Sequence, residues 1–349
     1  MNPEPFRIEP MFVPRIWGAR SLAPLYPEKS NLQEPIGEVW LTGVDCKVVS
    51  GPFTGKTFGE AWREMPPEWR GTRFTEPGDF PILIKFIFPN DKLSIQVHPD
   101  DAYAVAHEQA AGGRGKTEMW HVVSAEPGAL VLVGLKPGAT KEKFLRALQE
   151  NTLEGLFVPH PVQAGDTFFV PAGTPHTIGP GMVLCEVQEY SDLTYRVYDY
   201  RRVDAQGKPR ELHIEKALEV MKFGSRDGGK VNPLPLHAEG ASRSLLAACR
   251  HFATERWECS VKCEIPVDPA RFEVLVILDG TGSLAWPDSA TRYLRGECWI
   301  VPASQGRVEV HPVTPTALVR SFVPDLAALR AELHRGGISA AVLSQIIFD

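Results

Sequence analysis

The sequence predicts a mainly β protein built as two barrel or sandwich units, with a few helices inserted in or flanking the first. Three observations predict it. Short runs rich in β-branched and aromatic residues recur along most of the chain, each bounded by Gly or Pro. At 349 residues the chain is long for one hydrophobic core, so two domains are expected. A frame of Gly165-x5-Pro171 returns as Gly296-x5-Pro302, so the second half repeats part of the first. Many short strands at regular spacing favour a sandwich or barrel over a βαβ sheet.

The strand-like runs are Ile82–Phe88, Met119–Val123, Leu130–Val133, Thr167–Val170, Val183–Val187, Phe272–Leu278 and Trp299–Val301. Three segments read instead as helices. Phe58–Arg70 is amphipathic but interrupted by Pro66-Pro67, and Lys141–Gln149 follows Thr140, a suitable N-cap. Leu212–Lys222 places Ile214, Leu218 and Met221 at helical spacing. Clustered Gly and Pro after Ser225 mark a linker. The expected organisation is a first β unit with helical insertions over 1–224, a linker over 225–242, a second β unit over 243–324 and a helical tail over 325–349, broken at Gly336-Gly337.

Composition narrows the function classes. Hydrophobic residues make up 43% and charged residues 23%, the balance of an ordinary globular protein. A net charge of −6 argues against nucleic acid or an anionic membrane as partner. A phosphorylated ligand would have to be held by a few local cations. The longest apolar runs, such as Ala129–Val133 and Val274–Leu278, are strand-sized. Met1–Arg7 has no basic region followed by an apolar stretch, which points to a cytoplasmic protein. None of the six cysteines forms a C-x-x-C pair. Cys259 and Cys263, read as one strand-like run, lie too far apart along it to bridge, so reduced thiols are expected.

The most specific stretch is Gly165-Asp-Thr-Phe-Phe-Val-Pro171-Ala-Gly173-Thr-Pro-His176, a strand, a Pro/Gly turn and an imidazole launched from it. Upstream lie Gln96-x-His98 and Lys116-x-Glu118. Residues i and i+2 of a strand share a face, so each pair projects together, whereas His121 should face away from Glu118. Singly, each pair reads as an ordinary surface or structural feature. Together, two imidazoles, a carboxylate and an amide suit a divalent metal such as zinc with a position left for water or substrate. The repeat fails where it matters, with Ser304 in place of Gly173 and Arg307 in place of His176, so only the first unit is expected to carry a metal.

A second polar cluster follows His176. Glu186 and Gln188 share a strand face, and Arg196 lies among aromatic residues. Its guanidinium could present a fork to a phosphate or a developing oxyanion, or simply stack on Tyr195 or Tyr198. The run Gly112–Thr117 imitates the end of a phosphate-binding loop. It lacks the first glycine, with Ala110 there instead, and strand-like sequence follows where a helix is required.

Gly165, Pro171, Gly173 and His176 match the second motif of the cupins. More narrowly, the chain resembles the type I mannose-6-phosphate isomerases in their short bacterial form, over about residues 10–323. The resemblance rests on Leu93-Ser-Ile-Gln-Val-His-Pro-Asp-Asp101, Gly115-Lys-Thr-Glu-Met-Trp120, Pro171-Ala-Gly-Thr-Pro-His176 and Thr194-Tyr-Arg-Val-Tyr-Asp-Tyr200. It implies two cupin-type jelly-roll domains, the second degenerate and metal-free. It also implies one zinc ion held by Gln96, His98, Glu118 and His176, with Arg196, Lys116 and Glu186 as active-site residues acting on a sugar phosphate. The implied reaction interconverts mannose 6-phosphate and fructose 6-phosphate through an ene-diol. A non-catalytic zinc cupin that binds a sugar phosphate is the competing reading, and it would predict loss of Arg196, Lys116 or Glu186. An iron-dependent cupin oxygenase would need two closely spaced histidines where Gln96-x-His98 stands. Pro180 and Ala19 depart from the pattern without touching a proposed ligand, and the tail beyond Pro324 exceeds the usual short form.

Overall fold

In a computed structural model, residues 3–74, 78–204, 206–224, 228–287 and 289–349 are described. The strands form four sheets, paired antiparallel in every ladder. In the first unit, a seven-stranded sheet runs in spatial order 229–231, 167–170, 118–125, 182–189, 82–87, 36–40 and 11–19. It is accompanied by a five-stranded sheet of 195–198, 95–97, 176–178, 130–135 and 157–161. The second unit pairs a seven-stranded sheet with a four-stranded one of 263–266, 307–312, 281–286 and 289–294.

Strand alternation explains how one sheet serves two cores. On Ile82–Ile87, the side chains of Ile82, Ile84 and Phe86 enter a core shared by both units, while Ile87 packs inside the first unit. On Met182–Glu189, Val183, Cys185 and Val187 take the shared side, and Met182 and Leu184 the inner side. With apolar neighbours on both faces, these strands read as continuous hydrophobic runs. Each fully buried Ile or Phe of the shared core contributes roughly 1.5–3 kcal/mol.

The segment expected as a linker contains two strands. Gly229–Val231 pairs with 167–170 of the first unit, and Leu234–Leu236 pairs with 242–248 of the second. Residues 225–227 lie outside the described residues. The N-terminal strand Phe6–Ile8 also crosses over, pairing with Cys298–Val301 of the second unit. Backbone hydrogen bonding available at the two sheet edges outweighs local Gly/Pro content here.

The helices follow their local signals. Phe58–Glu64 starts with a Thr57/Glu60 capping box, and Pro66 separates it from Pro67–Arg70. Lys141–Glu150 begins at the Thr140 cap, and Ile214–Val220 forms the third. Asp101–His107, capped by Asp100, has no counterpart among the sequence-based expectations. The tail forms Leu326–Arg335 and Ala340–Leu343, and Phe348 stacks on Phe169 at 3.9 Å between ring centroids. Cys259 and Cys263 end and begin different strands, so the turn between them brings their thiols into hydrogen-bond contact. All six cysteines are free and buried.

Candidate metal centre and active site

The site lies between the two sheets of the first unit. Glu118 and Trp120 project inward at i and i+2, and the register sets Gln188 opposite Glu118 and Glu186 opposite Trp120. Lys85 stands opposite Glu186 on the next strand. From the five-stranded sheet, His176 and Arg196 both pair with Gln96 in register. Gly173 makes the turn before His176 with φ of 86°, and a Cβ there would meet Val220 O at 2.9 Å.

His98, Glu118 and His176 are buried and offer ligand atoms to one point. His98 Nε2 lies 3.2 Å from Glu118 Oε1, and His176 Nε2 lies 3.7 Å from Glu118 Oε2. Each imidazole is oriented from behind, with Nδ1 donating to Leu193 O at 2.8 Å in His98 and to Thr174 O at 2.9 Å in His176. That leaves both Nε2 lone pairs aimed inward, the arrangement a metal requires. His98 Nε2 and Glu118 Oε1 are buried without a hydrogen-bond partner, so their contact is one of proximity and not of a shared proton. Gln96 completes the ring with Nε2 3.2 Å from His176 Nε2, and a half turn of its amide places Oε1 there instead. These donors fit zinc.

Electrostatics keep the donors in their ligating forms. Burial holds His98 below the ordinary histidine range, with Lys116 adding to the effect, and burial lowers His176 to about 4. Burial alone would raise Glu118, but the Lys116 ammonium, 3.1 Å away, leads the interactions that outweigh it and hold the carboxyl well below its usual range. Glu186 goes the other way: burial, then the charge on Glu118, push it up to about 8. The Trp120 indole N–H donates to Glu118 Oε2 at 3.2 Å and to Glu186 Oε2 at 3.0 Å, tying the two carboxyls together.

A cavity of about 380 Å³ opens beside this cluster. Arg15, Lys85, Lys116, Arg196 and Arg210 line it, as do Glu38, Glu186 and Asp192. Arg15 is paired with Glu38, Arg210 with Asp199, Lys116 with Glu118, and Lys85 with Asp192 and Glu186. Among the described cations of the lining, only Arg196 has no carboxylate in ion-pair contact. Its Nη1 donates to Glu211 O at 3.0 Å, and its buried Nε has no partner. No stacking of Arg196 on Tyr195 or Tyr198 occurs among the described residues. A larger cavity, about 790 Å³, lies under the C-terminal tail, away from this cluster.

All seven sequence-derived site residues therefore converge in one region. His121 does face away, with Nδ1 3.2 Å from Thr167 Oγ1. Sequence reasoning missed Lys85, Asp192, Glu38, Arg15 and the positioning tryptophan. A signal existed for Lys85, a single charge within the apolar run Ile82–Ile87, where it is 1% exposed. In the second unit Arg307 begins a strand after the repeated turn, as His176 does, but it is 58% exposed beside Glu264. The repeat thus preserves the backbone unit without its inward donor.

Two jelly-roll units, with imidazole, carboxylate and amide donors gathered inside the first among the described residues, define a cupin with a candidate metal site. Residues 6–119 match the family model of the phosphomannose isomerase type I catalytic domain. A mannose-6-phosphate isomerase of Streptococcus mutans is 32% identical over 303 residues, 86% of this chain and 92% of its own. One from Bacillus subtilis is 32% identical over 321 residues, 89% of this chain and 96% of its own. The crystal structure of a B. subtilis mannose 6-phosphate isomerase superposes with a TM-score of 0.82 at 29% identity, covering 91% of this chain and 99% of that one. The chain belongs to the mannose-6-phosphate isomerase family of enzymes. A zinc-bound holo mannose 6-phosphate isomerase, 17% identical with a TM-score of 0.70, shares the fold. Among the described residues no helix is long and apolar enough to cross a membrane.

Proposed function

We propose that this chain is a zinc-dependent aldose–ketose isomerase interconverting mannose 6-phosphate and fructose 6-phosphate, with Gln96, His98, Glu118 and His176 as the zinc ligands. The observation that carries the reading is the pair of buried, back-oriented imidazoles facing an unprotonated Glu118 beside a cation-lined cavity. Zinc bound there would supply a Lewis acid for charge developing on the sugar's C1 and C2 oxygens.

The remaining steps fall to the chain's own groups. Arg196, with no carboxylate to neutralise it, binds the phosphate or the developing oxyanion. Lys116 adds positive field beside Glu118. Glu186, whose carboxyl burial pushes up from its ordinary range, lies beside Glu118 in this cavity and is the group best placed to carry a proton between C2 and C1 through an ene-diol. Lys85, held charged by Glu38, Asp192 and Glu186, fixes the far side of that carboxyl. Retention of Arg196, Lys116 and Glu186 in one cavity favours turnover over simple binding. A coupled assay for fructose 6-phosphate, with and without chelator, tests the reading. Chelator-sensitive turnover restored by zinc is expected; zinc bound without turnover would support the binding-protein alternative.

A further inference from the structure

A second group of donors lies outside this cavity. Asp101 opens the helix 101–107, Glu189 closes the strand 182–189, and His251 sits in the tight turn between strands 242–248 and 253–259 of the second unit. Their ligand atoms all lie within 4.8 Å of one another. His251 Nε2 is 3.6 Å from Glu189 Oε2 and 3.8 Å from Asp101 Oδ2. The geometry points to a second divalent-cation site, of the zinc type, formed by Asp101, Glu189 and His251 across the seam between the two units.

Two independent features support a cation there. The Glu189 side chain is only 9% exposed, and its carboxylate faces the Asp101 carboxylate and the His251 imidazole, with Arg250 and Arg114 as the nearby cations. Such a close approach of two carboxylates, one of them largely buried, is costly unless a cation is shared. The second feature is a stand-in cation. The exposed side chain of Arg250 reaches in, with Nη2 2.6 Å from Asp101 Oδ2 and Nε 2.9 Å from His251 Nε2. It thus occupies two of the three inward acceptors. At 62% exposure the Arg250 guanidinium has room to swing out to water, and a metal ion can take those acceptors with Glu189 as the third ligand and water as the fourth. One imidazole and two carboxylates suit zinc. The remaining Asp101 oxygen, Oδ1, accepts from Gly115 N at 3.0 Å, and Glu189 N donates to Thr117 O at 3.1 Å. The second site therefore grips both flanks of Lys116, so that occupancy would stiffen the loop that delivers it.

The test is a zinc count on the full-length enzyme by chelator competition. Two zinc ions per chain are expected for wild type, and one for His251→Ala and for Glu189→Gln, with the fold verified by the zinc that remains. Glu118→Ala should also retain one, held at the second site. Arg250→Ala, which removes the competing cation, should bind the second zinc tighter. A single zinc in wild type that His251→Ala leaves in place would overturn the proposal, as would two in His251→Ala. Loss of the second zinc affinity in Arg250→Ala would equally count against it. Should Glu118→Ala still bind two, the first site would be misassigned while this one stood.

Discussion

Trp120→Phe isolates the role of a single N–H. The indole is fully buried, and its N–H is shared between Glu118 at 3.2 Å and Glu186 at 3.0 Å. Phenylalanine fills most of the same space and removes only the donor and one ring. A hydrogen bond to a charged group contributes roughly 1.5–3 kcal/mol, and because one N–H is shared it is counted once. At about 1.4 kcal/mol per decade, that corresponds to a loss of roughly 10- to 100-fold, the range typical of residues behind metal ligands. Part should appear as weaker zinc binding, since Glu118 loses its orientation, and part as lower kcat, since Glu186 moves relative to substrate. Chelator competition measures the first and the coupled fructose 6-phosphate assay the second. A folded variant that keeps both zinc affinity and kcat/KM within about threefold of wild type would refute the assignment of Trp120 as a positioning residue.

Other substitutions separate the parts of the site. Glu118→Ala should abolish turnover and empty the first metal site together; full activity without zinc there would sink the ligand assignment. Arg196→Ala should lower kcat/KM by roughly 10- to 100-fold through loss of a charge-assisted contact, and a KM-dominated effect would place the phosphate, not the oxyanion, on this guanidinium. Arg307→His should add no metal, because the position is 58% exposed and faces only Glu264 among the described acids; an additional zinc would contradict the reading of the second unit. In the chelated protein, Glu186 is raised from 4.5 to about 8, so the native state binds the extra proton. Its stabilising effect is complete below about 4.5 and is lost as pH rises through 8. Urea midpoints should therefore fall across that window, and Glu186→Gln should flatten the fall; an unchanged slope would count against the shift.

Much of the site is legible because strand geometry is local. The i, i+2 rule places Lys116 with Glu118 and turns His121 away without any knowledge of the fold. The Gly165…His176 frame encodes its own turn, which Gly173 permits at positive φ. Helix starts at Thr57 and Thr140 are equally local, since the cap and the donors it satisfies lie within one turn. The failures have a common cause. Lys85 looks like a misplaced charge in an apolar strand until Glu186 and Asp192 are brought beside it from about a hundred residues away. Within the segment expected as a linker, Gly229–Val231 and Leu234–Leu236 become strands through partners elsewhere in the chain. Cys259 and Cys263 are free thiols, as expected, but they lie on two strands and not one, because of a turn that composition does not announce.

The β class, the helix starts at Thr57 and Thr140, and the candidate metal donors can be read from local spacing, because each depends on residues within a few positions of one another. The three-dimensional fold is what sets which lone pairs face one another, which carboxyl is pushed down and which up, and that Arg196 has no acidic partner among the described residues. Those properties depend on burial and on charges a few ångströms away in space, and sheet register, not sequence distance, sets who those neighbours are.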